Sequence, residues 1–120
     1  MKIFLLMALL GAGLARPAGT IHSHLFIVSG KQFLLGGNQR GAFTVRGKNV
    51  GRVTVEIQEQ PRTGPAVYRG TLAPGEQAQV AFADSSTAVL INRGGWRAVL
   101  DLDVTGDTGN LRMTYTPTGR

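Results

Sequence analysis

The chain has 120 residues, the length of one ordinary domain, and its 13 lysines and arginines outnumber its 7 acidic residues, giving a formal net charge of +6. It contains no cysteine, which excludes a disulfide framework, a thiol nucleophile, a thiolate metal site and a lipid-anchored lipoprotein. Most of the cations are arginines, whose planar guanidinium suits the carboxylates, sulfates or phosphates of an anionic partner.

Residues 1–15 have the pattern of a secretory signal peptide. Lys2 supplies a positive charge, an apolar run extends from Ile3 to Leu10, and Gly13-Leu14-Ala15 forms a small-x-small site. The run is too short to span a bilayer. We therefore expect cleavage after Ala15, a secreted or periplasmic protein, and a short flexible lead-in over residues 16–20. The alternative is a buried N-terminal strand or helix of the fold.

Alternation of apolar and polar residues predicts β-strands along the rest of the chain. The predicted strands are Ser23–Val28, Lys31–Leu35, Ala42–Arg46, Arg52–Gln60, Ala66–Leu72, Gln77–Ala83, Thr87–Ile91, Trp96–Val104 and Leu111–Thr116. Clusters of Gly, Pro, Asn and Asp separate them at intervals of roughly ten residues. This spacing predicts an all-β fold: a two-sheet antiparallel sandwich of immunoglobulin-like or jelly-roll type over residues 21–116, with a tail at 117–120. A small barrel is the alternative.

Three features of the later strands carry further expectations. A hairpin of the last two strands would place Val104 opposite Leu111 and Asp103 opposite Arg112, so that apolar pairs share one face. Thr87–Ile91 is apolar on both faces, which favours a covered central strand, with an edge for self-association as the alternative. Trp96 shares the alternation of its strand and is expected in the core, whereas an exposed Trp96 would suit sugar stacking.

The polar residues suggest several sites that the surrounding pattern does not complete. His22 and His24 would lie on one strand face, but two ligands are too few for Zn²⁺ or Cu²⁺, and we expect no metal and no cofactor. Oxygen ligands for Ca²⁺ could come from Asp101, Asp103, Asp107 and Asn110. Two of these, Asp101 and Asp103, could also act as a general acid/base pair. Instead, pairing of Asp101 with Arg97 and of Asp103 with Arg112 predicts a solvated, charge-balanced face.

Four cations around two consecutive turns form the candidate anion-binding site: Arg40, Arg46, Lys48 and Arg52. Loops could bring them to one end of the sandwich and attract an anionic polysaccharide or an envelope component. Phe43 is the one aromatic residue among them, so the stacking platform that single-stranded nucleic acids need is missing and nucleic acid is not expected. An ordinary basic rim is the simpler interpretation.

These observations lead to a functional expectation for the whole chain. We expect an exported, non-enzymatic β-sandwich that acts by surface contact, as a structural or interaction domain of the envelope or the extracellular space. The alternative is a carbohydrate or anionic-polymer binding module that uses the basic loops.

Overall fold

The computed structural model describes residues 20–117, and every regular element in that range is a β-strand. Residues 1–19, with the predicted signal peptide and most of the lead-in, and residues 118–120 of the predicted tail lie outside this range. The strands are β1 (Thr20–Ile27), β2 (Lys31–Gly36), β3 (Phe43–Asn49), β4 (Val55–Gln60), β5 (Val67–Leu72), β6 (Gln77–Phe82), β7 (Thr87–Ile91), β8 (Ala98–Gly106) and β9 (Met113–Pro117).

The strands form two sheets in which every pair is antiparallel. One sheet has the order β1-β8-β3-β6 and the other has the order β5-β4-β7-β2-β9. The two sheets pack face to face, because one hydrophobic cluster contains buried residues from both. The predicted all-β fold with two antiparallel sheets is confirmed.

Side-chain alternation explains how each sheet is covered on its inner face. In β3, Phe43 and Val45 are buried while Arg46 and Lys48 are exposed, and in β8 the buried residues start at Ala98 and recur at every second position. Burial of such apolar surface contributes about 25 cal/mol per Å² removed from water, which makes this core the main source of stability. The outer face of the four-stranded sheet is left polar.

Strand β7 confirms one expectation and corrects another. Ala88, Val89, Leu90 and Ile91 are all buried, as the apolar run predicted for a central strand. Because β7 is hydrogen-bonded to β2 on one side and to β4 on the other, Thr87–Ile91 has no free edge. Self-association through this segment, the alternative we considered, is therefore wrong.

The predicted hairpin between the last two strands is also wrong. Strand β8 pairs with β1 and β3 in one sheet, whereas β9 pairs with β2 at the edge of the other. Alternation specifies which face of a strand is apolar, and it does not specify the partner, so several pairings fit the same pattern. On the edge strand β9, Met113 and Tyr115 remain about half exposed although their spacing predicted the core face.

Candidate functional site

The two ends of the sandwich are built from different connections between strands. One end carries the connections 28–30, 50–54, 73–76 and 92–97, and we call it the Trp96 end. The opposite end carries the connections 37–42, 61–66, 83–86 and 107–112. Each candidate site residue lies at one of these ends or on the polar face between them.

The four predicted anion-binding cations do not meet at one end. Arg40 precedes β3 at the opposite end, and Arg52 follows β3 at the Trp96 end. Arg46 and Lys48 lie within β3 itself, because the strand continues through the Gly47-Lys48-Asn49 segment that was expected to turn. A strand of this length spans about 20 Å, so Arg40 and Arg52 cannot bind the same small anion.

Arg46 and Lys48 belong instead to the outer face of the four-stranded sheet, where polar residues form rows across the strands. Antiparallel register aligns the rows Thr20/Thr105/Thr44, His22/Asp103/Arg46/Gln79 and His24/Asp101/Lys48/Gln77. A shallow depression of about 340 Å³ lies over the first two rows. Opposite charges neighbour each other within two of these rows, so this face is largely balanced in charge.

Asp101 and Asp103 contact the two histidines and not the arginines that the sequence predicts as their partners. Nδ1 of His22 contacts Asp103, and Nδ1 of His24 contacts Asp101. The expected Asp103–Arg112 and Asp101–Arg97 pairs are not formed, because Arg112 lies in the connection to the other sheet and Arg97 stacks on an aromatic ring. Within residues 20–117 no group of three or more His, Cys, Asp or Glu side chains is placed to hold a metal ion.

Asp107 is separated from the other two aspartates and has a structural role. Its Oδ2 accepts hydrogen bonds from the backbone N–H groups of Arg40 (3.1 Å) and Gly41 (2.8 Å). It therefore fixes the 37–42 connection at the opposite end. The carboxylates at 101, 103 and 107 do not share one ion site.

The Trp96 end presents exposed aromatic and cationic side chains together. Trp96 is 64% exposed, which corrects its expected place in the core. The Arg52 guanidinium lies 5.7 Å from the Trp96 ring centroid, and the Arg97 guanidinium lies 4.6 Å from the Phe26 ring centroid. A depression of about 420 Å³ between them is lined by Val50, Gly51, Arg52, Trp96, Arg97 and Val99. Its lining thus combines cationic, aromatic and aliphatic side chains.

Two buried asparagines shape the loops that carry Arg52 and Trp96. Asn49 accepts a hydrogen bond from Gly51 N–H at 2.9 Å and donates to the carbonyl oxygens of Val53 (2.7 Å) and Leu72 (2.8 Å). Its side chain thus closes a loop around Arg52 and ties it to strand β5. The loop places Arg52 outside and returns the chain to the core at Val53.

Asn92 repeats this arrangement in the second loop. It accepts a hydrogen bond from Gly94 N–H at 2.9 Å and donates to the carbonyl oxygens of Trp96 (2.7 Å) and Ile27 (2.8 Å). Because the Trp96 carbonyl bonds to Asn92 in place of a neighbouring strand, β8 begins only at Ala98. The Trp96 side chain consequently leaves the alternation and points out of the core.

Close backbone packing keeps the two loops adjacent. A Cβ atom at Gly51 would lie 2.8 Å from the backbone nitrogen of Val99, and one at Gly94 would lie 3.0 Å from a Val53 methyl carbon. Both positions therefore favour glycine for lack of space. Sequence reasoning noted these segments as turns but missed the buried asparagines; the signal for them was the repeated Asn-x-Gly at 49–51 and 92–94.

The charge at the Trp96 end is net positive. Arg52 and Arg97 form no ion pair with any residue in the described range. Glu56, which lies nearby at the start of β4, accepts a hydrogen bond from Arg93 at 2.9 Å. This bond, with another from Gln58, lowers the pKa of the Glu56 carboxyl. The negative charge of Glu56 is therefore already compensated, and the guanidinium groups of Arg52 and Arg97 remain available.

Comparisons of the chain with protein-family models, with curated proteins and with solved structures found no match. Across residues 20–117 there is no helix of the length and apolarity that a membrane span requires. An apolar void between the two sheets measures about 20 Å³, which is too small for a ligand larger than water.

Proposed function

We propose that the chain is an exported, non-enzymatic binding module that acts by surface contact in the envelope or the extracellular space, with the Trp96 end as its contact surface. The strand order β1-β8-β3-β6 facing β5-β4-β7-β2 supports a jelly-roll type of sandwich, with β9 as an added edge strand. Jelly rolls include lectin domains, but this analogy concerns the fold, and the function is argued from the site.

The exposure of Trp96 is the observation that carries the proposal. A tryptophan offers a large apolar surface, and leaving 64% of the residue in water forgoes the free energy that its burial would contribute. The hydrogen bond from Asn92 to its carbonyl oxygen holds the loop in this form. Val50, also exposed, lines the same depression as Trp96 and Val99, so the apolar surface is shared by two connections and strand β8. Contiguous exposed apolar surface of this kind is typical of interaction sites.

A binding screen tests this function. We expect the purified chain to bind at least one member of a panel of immobilised glycans, polyanions and envelope fractions, and Trp96→Ala to reduce that binding by at least tenfold. Because the indole is exposed, the variant should keep the melting temperature of the parent within a few degrees. Binding that is indifferent to Trp96→Ala, or an absence of binding across the panel, would contradict the proposal.

A further inference from the structure

The geometry points to an acidic sugar residue of a polysaccharide, bearing a carboxylate or a sulfate, as the ligand of the depression at the Trp96 end. This inference rests on the proposed function and deepens it by naming a ligand class. Its basis is the juxtaposition of one exposed indole, the aliphatic side chains of Val50 and Val99, and two guanidinium groups, Arg52 and Arg97, that form no ion pair within residues 20–117.

The indole supplies a surface for the sugar ring. The Arg52 guanidinium lies over Trp96 at 5.7 Å from the ring centroid, yet the residue stays 64% exposed, so most of its surface is accessible. Val50 and Val99 add apolar surface beside it. The C–H groups of a pyranose ring pack on such surfaces, while its hydroxyl groups stay in contact with water. The volume of about 420 Å³ lies in the lower part of the range of about 300–1,000 Å³ found for small-molecule sites.

The two arginines supply recognition of the negative charge. A guanidinium presents parallel N–H donors that match the oxygens of a carboxylate or sulfate, and such charge-assisted hydrogen bonds are stronger than neutral ones. Neither Arg52 nor Arg97 has a carboxylate partner in residues 20–117, whereas nearby Arg93 is occupied by Glu56. Stacking of each guanidinium on an aromatic ring, Trp96 or Phe26, restrains it, which reduces the entropy lost on binding.

The surroundings favour a polysaccharide over an anionic bilayer. The Phe26 ring contacts the Arg97 guanidinium and makes a T-shaped contact with His24 at 5.0 Å between centroids, and these contacts restrain it from inserting into a bilayer. Beyond Val50 and Val99, the polar row of His24, Asp101, Lys48 and Gln77 continues the surface along the sheet. A flexible polymer can follow such a hydrogen-bonding surface past the depression.

Titration with defined oligosaccharides tests the ligand class. The probes are hexagalacturonate, which carries carboxylates, a heparin hexasaccharide, which also carries sulfates, and fully methyl-esterified hexagalacturonate, which keeps the rings without the charge. Since Trp96 is the sole tryptophan of the chain, its fluorescence reports directly on this depression. We expect at least one acidic probe to bind at least tenfold more tightly than the ester and to shift the tryptophan emission. Binding of hexagalacturonate identifies a carboxylate as sufficient, and binding of the heparin hexasaccharide alone identifies a requirement for sulfate.

Variants measured by calorimetry locate the site. We expect Arg52→Gln and Arg97→Gln each to weaken the acidic probe by about tenfold, the loss of a charge-assisted hydrogen bond, and to leave the weak binding of the ester unchanged. Trp96→Ala should weaken both probes, and Trp96→Phe should restore part of the affinity. Arg46→Gln is the matched control, because it removes the same charge from the sheet face outside the depression; we expect less than a twofold change.

Several results would overturn this ligand class. One is equal affinity for the acidic probe and its ester. Another is a loss of affinity in Arg46→Gln as large as that in Arg52→Gln. A third is binding to phosphatidylglycerol vesicles without binding to either acidic oligosaccharide. A chain that binds some other member of the panel through Trp96 would overturn this inference and leave the proposed function standing. Binding that does not depend on Trp96 would overturn both.

Discussion

At the scale of single residues, two buried amide side chains decide what the Trp96 end looks like. Asn49 and Asn92 are fully buried, and each satisfies one backbone N–H and two carbonyl oxygens of its surroundings. Buried polar groups are tolerated only when they are hydrogen-bonded, and here two of the three bonds of each amide are made within the loop that it shapes. The exposed residues Arg52 and Trp96 therefore owe their positions to side chains that are themselves buried.

Replacing Asn92 by alanine should destabilise the protein. The change removes the hydrogen bonds of Asn92 to the Gly94 N–H and to the carbonyl oxygens of Ile27 and Trp96, and a buried group left unsatisfied costs about 1–3 kcal/mol. We expect the free energy of unfolding, measured in urea, to fall by about 3 kcal/mol. Asn110→Ala is the control, since Asn110 is exposed and should change stability by less than about 0.5 kcal/mol. A loss for Asn92→Ala as small as that of the control would refute the structural role.

The sequence identified these asparagines as turn residues and went no further. A turn-forming Asn bonds to its own local backbone, and that pattern is visible as Asn-x-Gly. The second donor bond of each amide reaches a distant strand, at Leu72 or Ile27, and such long-range contacts depend on the topology. For the same reason alternation could not predict the exposure of Trp96. Its carbonyl oxygen accepts a hydrogen bond from the Asn92 side chain, and β8 begins only at Ala98.

At the scale of secondary-structure elements, alternation predicted eight or nine strands and the buried faces of β4, β6 and β8. It failed for the partners of β8 and β9, because local sequence does not encode which strand lies alongside. It also failed at the ends of strands, where β3 continues to Asn49 and β4 starts only at Val55. Of the four candidate cations, Arg52 was predicted at the start of a strand next to a turn and lies in the 50–54 connection, whereas Arg46 and Lys48 lie on the sheet face.

The edge strands β5 and β6, which belong to different sheets, are joined by a polar clamp formed by Glu59 and Arg69. The Arg69 guanidinium contacts Glu59 on β4 and donates to the carbonyl oxygen of Ala81 on β6 at 2.9 Å. Glu59 in turn accepts a hydrogen bond from Ala83 N–H at 2.9 Å. Burial opposes ionisation of Glu59, but the hydrogen bonds from Ala83, Ser86 and Arg69 outweigh it and lower its pKa.

This clamp should make stability depend on pH below neutrality. Because the pKa of Glu59 in the folded chain is below its ordinary value of 4.5, the carboxylate contributes stability above that pH and loses it as the pH falls through the lowered pKa. We expect the melting temperature to drop between pH 6 and pH 3 by more in the parent than in Glu59→Gln, checked by circular dichroism. Asp84→Asn, which removes an exposed carboxylate, should keep the slope of the parent. Parallel curves for the parent and Glu59→Gln would contradict this role of the clamp.

At the scale of the whole molecule, the two ends of the sandwich differ in chemistry. The opposite end is fixed by Gln39, whose side chain donates to Ser86 O at 2.8 Å and accepts from Gly37 N–H at 2.8 Å, together with Asp107. The Trp96 end is fixed by the two asparagines and exposes aromatic and cationic groups. A molecule with one differentiated end can present that end to a partner while the other end faces away.

The first fifteen residues predict that the whole chain is exported. We expect material recovered from outside the cytoplasm to begin at Arg16, because residues 1–15 combine Lys2, an apolar run and a small-residue site. N-terminal sequencing of the secreted or periplasmic protein checks the cleavage position. Recovery of exported protein that still begins at Met1 would show that this segment is not removed.

The repeated asparagine loops separate the groups that hold the fold from the groups that meet solvent. Within each loop the Asn and Gly positions are constrained by hydrogen bonds and close packing, whereas Arg52 and Trp96 project outward without supporting the core. Under the proposed function, substitutions at the outward positions can alter recognition at little cost in folding. A family of variants with different specificities could thus be generated on one unchanged scaffold, by selection in nature or by design in the laboratory.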